Sequence, residues 1–380
     1  MTMQNENSFF PEIRGRFGFG LMRLPMTGED VDEAQVATMV DRLMAAGFNY
    51  FDTAHGYISG KSETAARAAL TSRYPRDSYV FTNKLSGGFF KSEADILPLF
   101  ESQLAACGLE YFDFYLMHAL GAENLQHFID CSAFETAFAL KKQGKVRHVG
   151  FSFHDSAEVL DRILTDYPQF EVVQLQLNYL DWDDENVQSR KCYEVCVKHH
   201  KPVIVMEPVK GGSLVRMIPA AEDALNRLRA ETDGGNSNAG YALRFALGLE
   251  NVMMVISGMS ELSQMDDNLS VAGDFRPLSE RERAALREVV SAFDALDLIR
   301  CTACRYCTDG CPMEIKIPDL FSQYNRKLKF DSPWAKRRYD DLTADGHAPA
   351  DCLACGQCES VCPQHLPVIG LLQKCAEAFQ

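Results

Sequence analysis

Apolar residues over the first 280 positions recur in two alternating patterns. Short runs rich in β-branched and aromatic residues fall at 17–22, 49–51, 79–84, 112–118, 148–153, 172–178, 202–207 and 252–257. Between them, at 31–46, 62–72, 92–107, 132–143 and 185–199, apolar positions recur at steps of three and four, the spacing of one helix face. Eight strand segments, each separated by enough chain for a helix, predict parallel neighbours joined by right-handed crossovers. Closed on itself, such a sheet is a (β/α)8 TIM barrel of about 250 residues. An open doubly wound sheet is the alternative. It needs a glycine-rich phosphate loop after its first strand, and Gly18-Phe19-Gly20-Leu21-Met22-Arg23 lacks the third glycine and the following helix.

The pattern changes near residue 280. Ser279 and Glu282 form a capping-box signature, and Leu286, Val289, Val290, Phe293 and Leu296 follow as one apolar stripe. This helix is expected to pack on the barrel and lead into a second domain. The expected organisation is an α/β barrel over 1–280, a linker helix over 281–300, and a small, mainly helical domain over 301–380.

Composition narrows the setting. The chain has 380 residues, 46% of them apolar, and a net charge of −15. Disorder is excluded by the apolar content, and the acidic balance argues against a broad nucleic-acid surface, which needs clustered Lys and Arg. No apolar run reaches the roughly 18–20 residues of a membrane helix, and the N-terminal stretch lacks the apolar centre of a signal peptide. A cytoplasmic protein without a membrane or nucleic-acid partner is expected. Against the acidic background, residues 326–338 carry six basic residues and one acid. They are either a solvated helix face or a docking patch for an acidic electron carrier such as a ferredoxin or flavodoxin.

Of 13 cysteines, eight fall between 301 and 362 and repeat one spacing: Cys301, Cys304, Cys307 and Cys311 before Pro312, then Cys352, Cys355, Cys358 and Cys362 before Pro363. Disulfides would require an oxidising compartment. Zinc sites take four ligands as two pairs, which a triple run with a fourth Cys-Pro fits poorly. The run resembles that of bacterial two-cluster ferredoxins. The resemblance implies that Cys301, Cys304, Cys307 and Cys362 hold one [4Fe–4S] cluster, and Cys352, Cys355, Cys358 and Cys311 the other. The clusters would carry electrons or serve as structural staples. Cys107, Cys131, Cys192, Cys196 and Cys375 are expected to be packing residues.

Barrel active sites sit where strands end, and four chemically apt residues fall at such ends: Asp52 and Tyr57, Lys84, and His118. The segments FDTAHGY at 51–57, TNK at 82–84 and LMH at 116–118 resemble the catalytic tetrad of the aldo-keto reductase family. With the cysteine runs behind it, the chain resembles the iron–sulfur branch of that family. The resemblance implies reduction of a small-molecule carbonyl. Tyr57 would give the proton, with the Lys84 ammonium drawing its phenol toward neutral pH. Asp52 would fix Lys84, and His118 would hydrogen-bond the substrate oxygen.

It also implies NAD(H) or NADP(H) across the barrel mouth. Ser152 and Gln174 would hold the carboxamide, Met206, Pro208, Lys210 and Gly211 would pass the nicotinamide and pyrophosphate, and Gly258, Met259, Ser260, Gln264, Asp267 and Asn268 would line the adenosine end. Several positions depart from the family. Phe153 replaces an asparagine, Met206 an aromatic ring, and Gly258 and Gln264 the Lys and Arg that clamp a 2′-phosphate, so NADH is expected to serve at least as well as NADPH. Phe19, Met22, Tyr57, Phe89 and Phe90 form an expected apolar rim. Two other readings stay open: an electron carrier or redox sensor on an idle barrel, and a reductase whose clusters are only structural.

Overall fold

The structure is a computed structural model, and it describes residues 9–185, 187–212, 214–231, 236–299, 301, 306–330, 332–360, 362 and 366–380. Two compact units divide the chain: Met1–Val215 with Asn236–Ser279, and Arg216–Gly235 with Glu280–Gln380.

In the first unit β1 (Phe17–Gly20) precedes a hairpin of β2 (Met26–Thr27) and β3 (Asp30–Val31). Seven strands follow: β4 (Tyr50–Asp52), β5 (Val80–Ser86), β6 (Phe112–Leu120), β7 (Val146–Phe153), β8 (Val172–Gln176), β9 (Val203–Met206) and β10 (Val252–Gly258). β1 and β4–β10 close into a barrel in which every pair is parallel. All eight predicted strands are present, shifted by a few residues. The helices up to residue 280 are α1 (Glu33–Ala45), α2 (Lys61–Ala66), α3 (Glu93–Cys107), α4 (Ala122–Asp130), α5 (Ala133–Lys142), α6 (Ala157–Asp166), α7 (Ser189–Lys198), α8 (Pro219–Glu231), α9 (Asn238–Leu247) and α10 (Leu262–Gly273). α4 is an added helix between β6 and α5. α7 starts four residues later than its apolar pattern, directly after Gln188, which takes a left-handed backbone.

Strand alternation gives the barrel two cores. Tyr50, Val80, Phe114, Leu116, Val172, Ile204, Met254 and Ile256 form one buried cluster with Phe10 and Ile13 from the N-terminal segment. The Phe10 ring meets Phe114 edge-on at 5.1 Å, and Asn49 anchors the same segment through Arg14 N–H and the Glu12 carbonyl. The alternate residues, among them Phe19, Phe51, Phe81, Tyr115, Phe151 and Val173, pack in a larger cluster with α1, α3, α5, α6 and α7. Phe19 is therefore core and not rim.

In the second unit, α8 packs against α11 (Glu280–Asp294). The stripe expected on α11 is buried at Leu286, Val289 and Phe293, and α8 buries Ala221, Ala224, Leu225 and Leu228. The remaining helices are α12 (Tyr306–Asp309), α13 (Ile317–Phe330), α14 (Pro333–Thr343), α15 (Gln357–Ser360) and α16 (Val368–Phe379). α13 packs on α14 and α16 around Leu320, Phe321, Tyr324, Leu342 and Leu372, and Tyr339 stacks on Phe379 at 4.3 Å. Asn325 brackets Ile299, accepting its N–H at 2.8 Å and donating to its carbonyl at 2.7 Å. That bracket fixes the chain just before Cys301.

Gly150 is the barrel glycine whose added carbon would come closest to a neighbouring atom. A Cβ at Gly150 on β7 would overlap the Val172 carbonyl oxygen and stand 2.5 Å from Val172 Cγ1 on β8, and a backbone atom of a central strand has nowhere to move. Gly150→Ala should cost about 1–3 kcal/mol of unfolding free energy in chemical denaturation. Gly273→Ala, at the open end of α10 with nothing within 4 Å of the added carbon, should be neutral or stabilising by up to about 1 kcal/mol.

Candidate active site

The C-terminal ends of β4, β5 and β6 bring the four tetrad residues together. Lys84 is fully buried, and its ammonium lies 2.5 Å from Asp52 Oδ1 and 2.9 Å from the Thr53 carbonyl. The second oxygen of Asp52 accepts from Gln174 Nε2 at 3.2 Å. Lys84 Nζ sits 4.9 Å from the centre of the Tyr57 ring, and the Tyr57 and His118 rings meet edge to face at 5.7 Å. His118 Nδ1 lies 2.6 Å from Ser86 Oγ.

The electrostatics follow from burial and one cation. Burial would strip the Lys84 proton, but Asp52 and Tyr57 outweigh it and hold that proton more tightly than usual. Burial raises the Tyr57 phenol above its ordinary range; Lys84 opposes this, while Asp52 and Glu207 add to it. Lys84 thus pulls in the expected direction, although burial wins in the protein alone. His118 is pushed down to about 3 by burial, with the charges of Lys84 and His154 adding to it. It is therefore a neutral imidazole at working pH. When the Ser86 hydroxyl donates to Nδ1, the ring proton sits on Nε2 and is free to donate to a substrate oxygen. Ser86 escaped the sequence reading because a lone serine two residues beyond Lys84 carries no signal.

A buried polar web stands behind Lys84. Asn83 Oδ1 accepts the Lys84 N–H at 2.8 Å and Gln103 Nε2 at 3.1 Å, and Gln103 also accepts the Tyr115 hydroxyl. Asn83 Nδ2 donates to Glu63, whose other oxygen meets His55 Nδ1 at 2.9 Å. These residues hold the strand that carries the cation.

The expected nucleotide residues divide by what already holds them. Ser152 Oγ accepts the Ala119 N–H at 2.7 Å, pinning a left-handed residue next to His118 where the β6–β7 register shifts. Met206 ends β9 half-buried, and Pro208 is buried. Lys210 is ion-paired with Asp181. Burial would raise the Asp181 carboxyl, but Lys210, Gln176 and Asn178 together hold it below its ordinary range. Gly211 is left-handed, and a Cβ there would stand 2.9 Å from Arg23 Nη2; one at Gly258 would touch the same side chain at 3.4 Å. Arg23 thus lies beside both glycines and pairs at 3.4 Å with Glu207, itself left-handed at φ 56°. Met259 is buried in the core. Ser260 donates to the Arg23 carbonyl while Gln264 accepts the Ser260 N–H. Asp267 accepts from Ser237, and buried Asn268 braces Ser257 at 2.8 Å. At the rim Met22 and Phe89 are exposed, whereas Phe90 is buried against His127 and Phe128.

In the second unit one pocket is lined by Cys311, Cys352, Cys355 and Cys358, with Ile315, Ile317, Ile369 and Leu372 as its apolar wall. Of the other expected set, Cys301, Cys307 and Cys362 are half-buried, and Cys304 lies outside the described residues. Cys107, Cys131, Cys192, Cys196 and Cys375 are buried, and burial lifts the Cys192 and Cys375 thiols to about 12. They are packing residues, as the sequence indicated.

A parallel eight-stranded barrel with a buried Lys–Asp pair, a tyrosine and a neutral histidine at one mouth defines a barrel oxidoreductase. Residues 16–291 match the aldo/keto reductase family and residues 300–366 the 4Fe-4S dicluster domain, and the chain belongs to the aldo/keto reductase family. An uncharacterized oxidoreductase of Schizosaccharomyces pombe is 27% identical over 280 residues, covering 69% of this chain and 82% of that protein. The L-galactose dehydrogenase of Arabidopsis thaliana is 23% identical over 288 residues, covering 72% and 88%. The crystal structure of an aldo-keto reductase from Klebsiella pneumoniae in complex with NADPH shares the fold at a TM-score of 0.59 and 20% identity, covering 72% and 90%.

Because His118 is neutral well below pH 6, it should add no ionisation to the working range. Tyr57 must keep its proton to act as an acid, so activity should fall only as pH rises toward the phenol range. The expected profile of kcat/KM for carbonyl reduction is flat from about pH 6 to 9. An inflection near the ordinary imidazole pKa that disappears in His118→Gln would contradict the neutral assignment.

Proposed function

We propose that the barrel reduces the carbonyl group of a small molecule with NADH or NADPH, and that the eight cysteines hold two [4Fe–4S] clusters that handle single electrons. The observation that carries the first part is the buried Lys84–Asp52 pair beneath the Tyr57 ring, at 2.5 Å and 4.9 Å. The residues present fit a nicotinamide carboxamide. Ser152 accepts from Ala119 and keeps its hydroxyl hydrogen to donate, while Gln174 spends its N–H on Asp52 and offers a carbonyl oxygen. One donor and one acceptor side by side complement a primary amide. Met206 would lie against the ring, Pro208, Lys210 and Gly211 would follow the pyrophosphate, and Gly258 through Asn268 would run beside the adenosine.

The dinucleotide, when bound, supplies hydride to the carbonyl carbon. The chain supplies the rest. His118 Nε2–H orients the carbonyl oxygen and stabilises the charge that develops on it. Tyr57 Oη gives that oxygen its proton, and Lys84 stabilises the resulting phenolate. Asp52 keeps Lys84 cationic and in place, so the charge that matters is already aimed before substrate arrives.

For the clusters, the fit rests on the pocket that gathers Cys311 with Cys352, Cys355 and Cys358. Four cysteines lining one pocket with apolar neighbours are the residue types that such a cluster takes as ligands and surroundings. A hydride is two electrons and a cluster passes one, so exchange with an outside carrier proceeds in single steps. The cations Arg326, Lys336, Arg337 and Arg338 are carried by α13 and α14, with Lys336 paired to Asp340 at 2.5 Å. They support an acidic protein as that carrier.

Tyr57→Phe should lower carbonyl turnover by about two to four orders of magnitude while iron content and visible absorption stay at wild-type level; unchanged turnover would remove Tyr57 as the acid. Titration with both nucleotides should find NADH bound at least as tightly as NADPH, since neither Gly258 nor Gln264 brings a cation.

A further inference from the structure

The second cysteine set is covered unequally. Cys358 is buried, Cys311 and Cys352 are half-buried, and Cys355 is exposed. Cys301, Cys307 and Cys362 of the first set are half-buried, so among the described cysteines Cys355 alone is exposed. Its neighbour Leu353 is 65% exposed. The backbone holds it there. Ala354 is left-handed at φ 51° and Gly356 at φ 77°, a conformation that costs an alanine about 1 kcal/mol. The Ala354 N–H donates to Cys352 Sγ at 3.4 Å. Leu353 and Cys355 line the same pocket as Ile315, Ile317, Ile369 and Leu372, of which Ile315, Ile317 and Leu372 are buried. The exposed edge of the set is thus Leu353–Ala354–Cys355, shaped by the left-handed backbone at Ala354 and Gly356.

We propose that the edge Leu353–Ala354–Cys355 is the port through which single electrons enter or leave the protein, with Leu353 as the apolar contact for a one-electron carrier. The inference rests on the reading that this set binds a cluster. Electron tunnelling falls off steeply with distance, so an exposed ligand is the shortest route outward, and an exposed leucine beside it lets a carrier approach without stripping water from a charge. In each transfer one electron passes between the carrier and the cluster, the one being oxidised as the other is reduced. The cations of α13 and α14 belong to the same unit and would steer the carrier, while the neutral loop makes the contact.

The test uses the full chain with clusters reconstituted, and the variants Leu353→Glu and Leu353→Lys, both at an exposed position. Iron and acid-labile sulfide are measured first. Bleaching of the cluster absorption is then followed by stopped flow, with the methyl viologen radical cation and with dithionite as reductants. Leu353→Glu should speed the cationic donor and slow the anionic one, each by about threefold or more at low salt, and Leu353→Lys should reverse both effects. Val215→Glu, a charge added at an exposed apolar residue of the barrel unit, should change neither rate. In an EPR-monitored titration the midpoint of one cluster should fall in Leu353→Glu and rise in Leu353→Lys, the other staying fixed. Rates at wild-type values in both Leu353 variants, or an equal response to Val215→Glu, would overturn the port. A reconstituted wild-type protein that holds no iron would instead overturn the cluster reading beneath it.

Discussion

The Lys84–Asp52 pair is the constraint around which the barrel unit is arranged. An ammonium taken wholly out of water costs several kcal/mol unless its partners are placed well. Here the Asp52 carboxylate, the Thr53 carbonyl and the Tyr57 phenol surround it, while Asn83, Gln103 and Glu63 fix the strand behind. Parallel register makes this practical, because β4 and β5 run side by side and deliver Asp52 and Lys84 from adjacent strands. Much of the buried polarity of the unit is thus the support of a single charge. The same charge helps keep His118 neutral and opposes the effect of burial on Tyr57, so one cation acts on both groups, although burial is the larger influence on each.

The barrel was legible in the sequence because strands buried on both sides are written as continuous apolar runs, and the tetrad because its residues fall at the ends of those runs. What the sequence hid has a common cause. Ser86, Glu63 and Asp181 act through partners distant in the chain, His118, Asn83 and Lys210, and no local pattern marks such a pair. The apolar rim was half visible. Phe89 and Phe90 are adjacent and chemically alike, yet one is exposed and the other lies stacked on His127, a distinction set by α4, which the apolar spacing did not disclose. Lys210 and Asn268 show the limit from another side: the residue types suited a nucleotide, and the structure also gives them partners of their own in Asp181 and Ser257.

The cysteine runs were the clearest signal, and the structure adds an asymmetry that spacing alone cannot carry. The repeats are identical in spacing, yet of the second run Cys358 is buried and Cys355 exposed. The spacing is the same in both runs, whereas exposure depends on what packs around each cysteine, here α13 and α16, whose Ile317, Ile369 and Leu372 line the pocket.

The excursion of the chain through α8 has a consequence for modularity. The chain leaves the barrel unit after Val215, forms α8 in the other unit, and returns at Asn236. α8 buries its apolar face against α11, which lies 49 positions further along the sequence, counted from Glu231 to Glu280. A barrel severed at residue 280 would keep α8 and lose its cover, leaving Ala221, Leu225 and Leu228 to water. The second unit is therefore not a tail that can be clipped off or grafted on at one seam. The two units are sewn together by three crossings of the chain, and a recombination event that exchanged one without the other would have to repair a helix face as well as a linker.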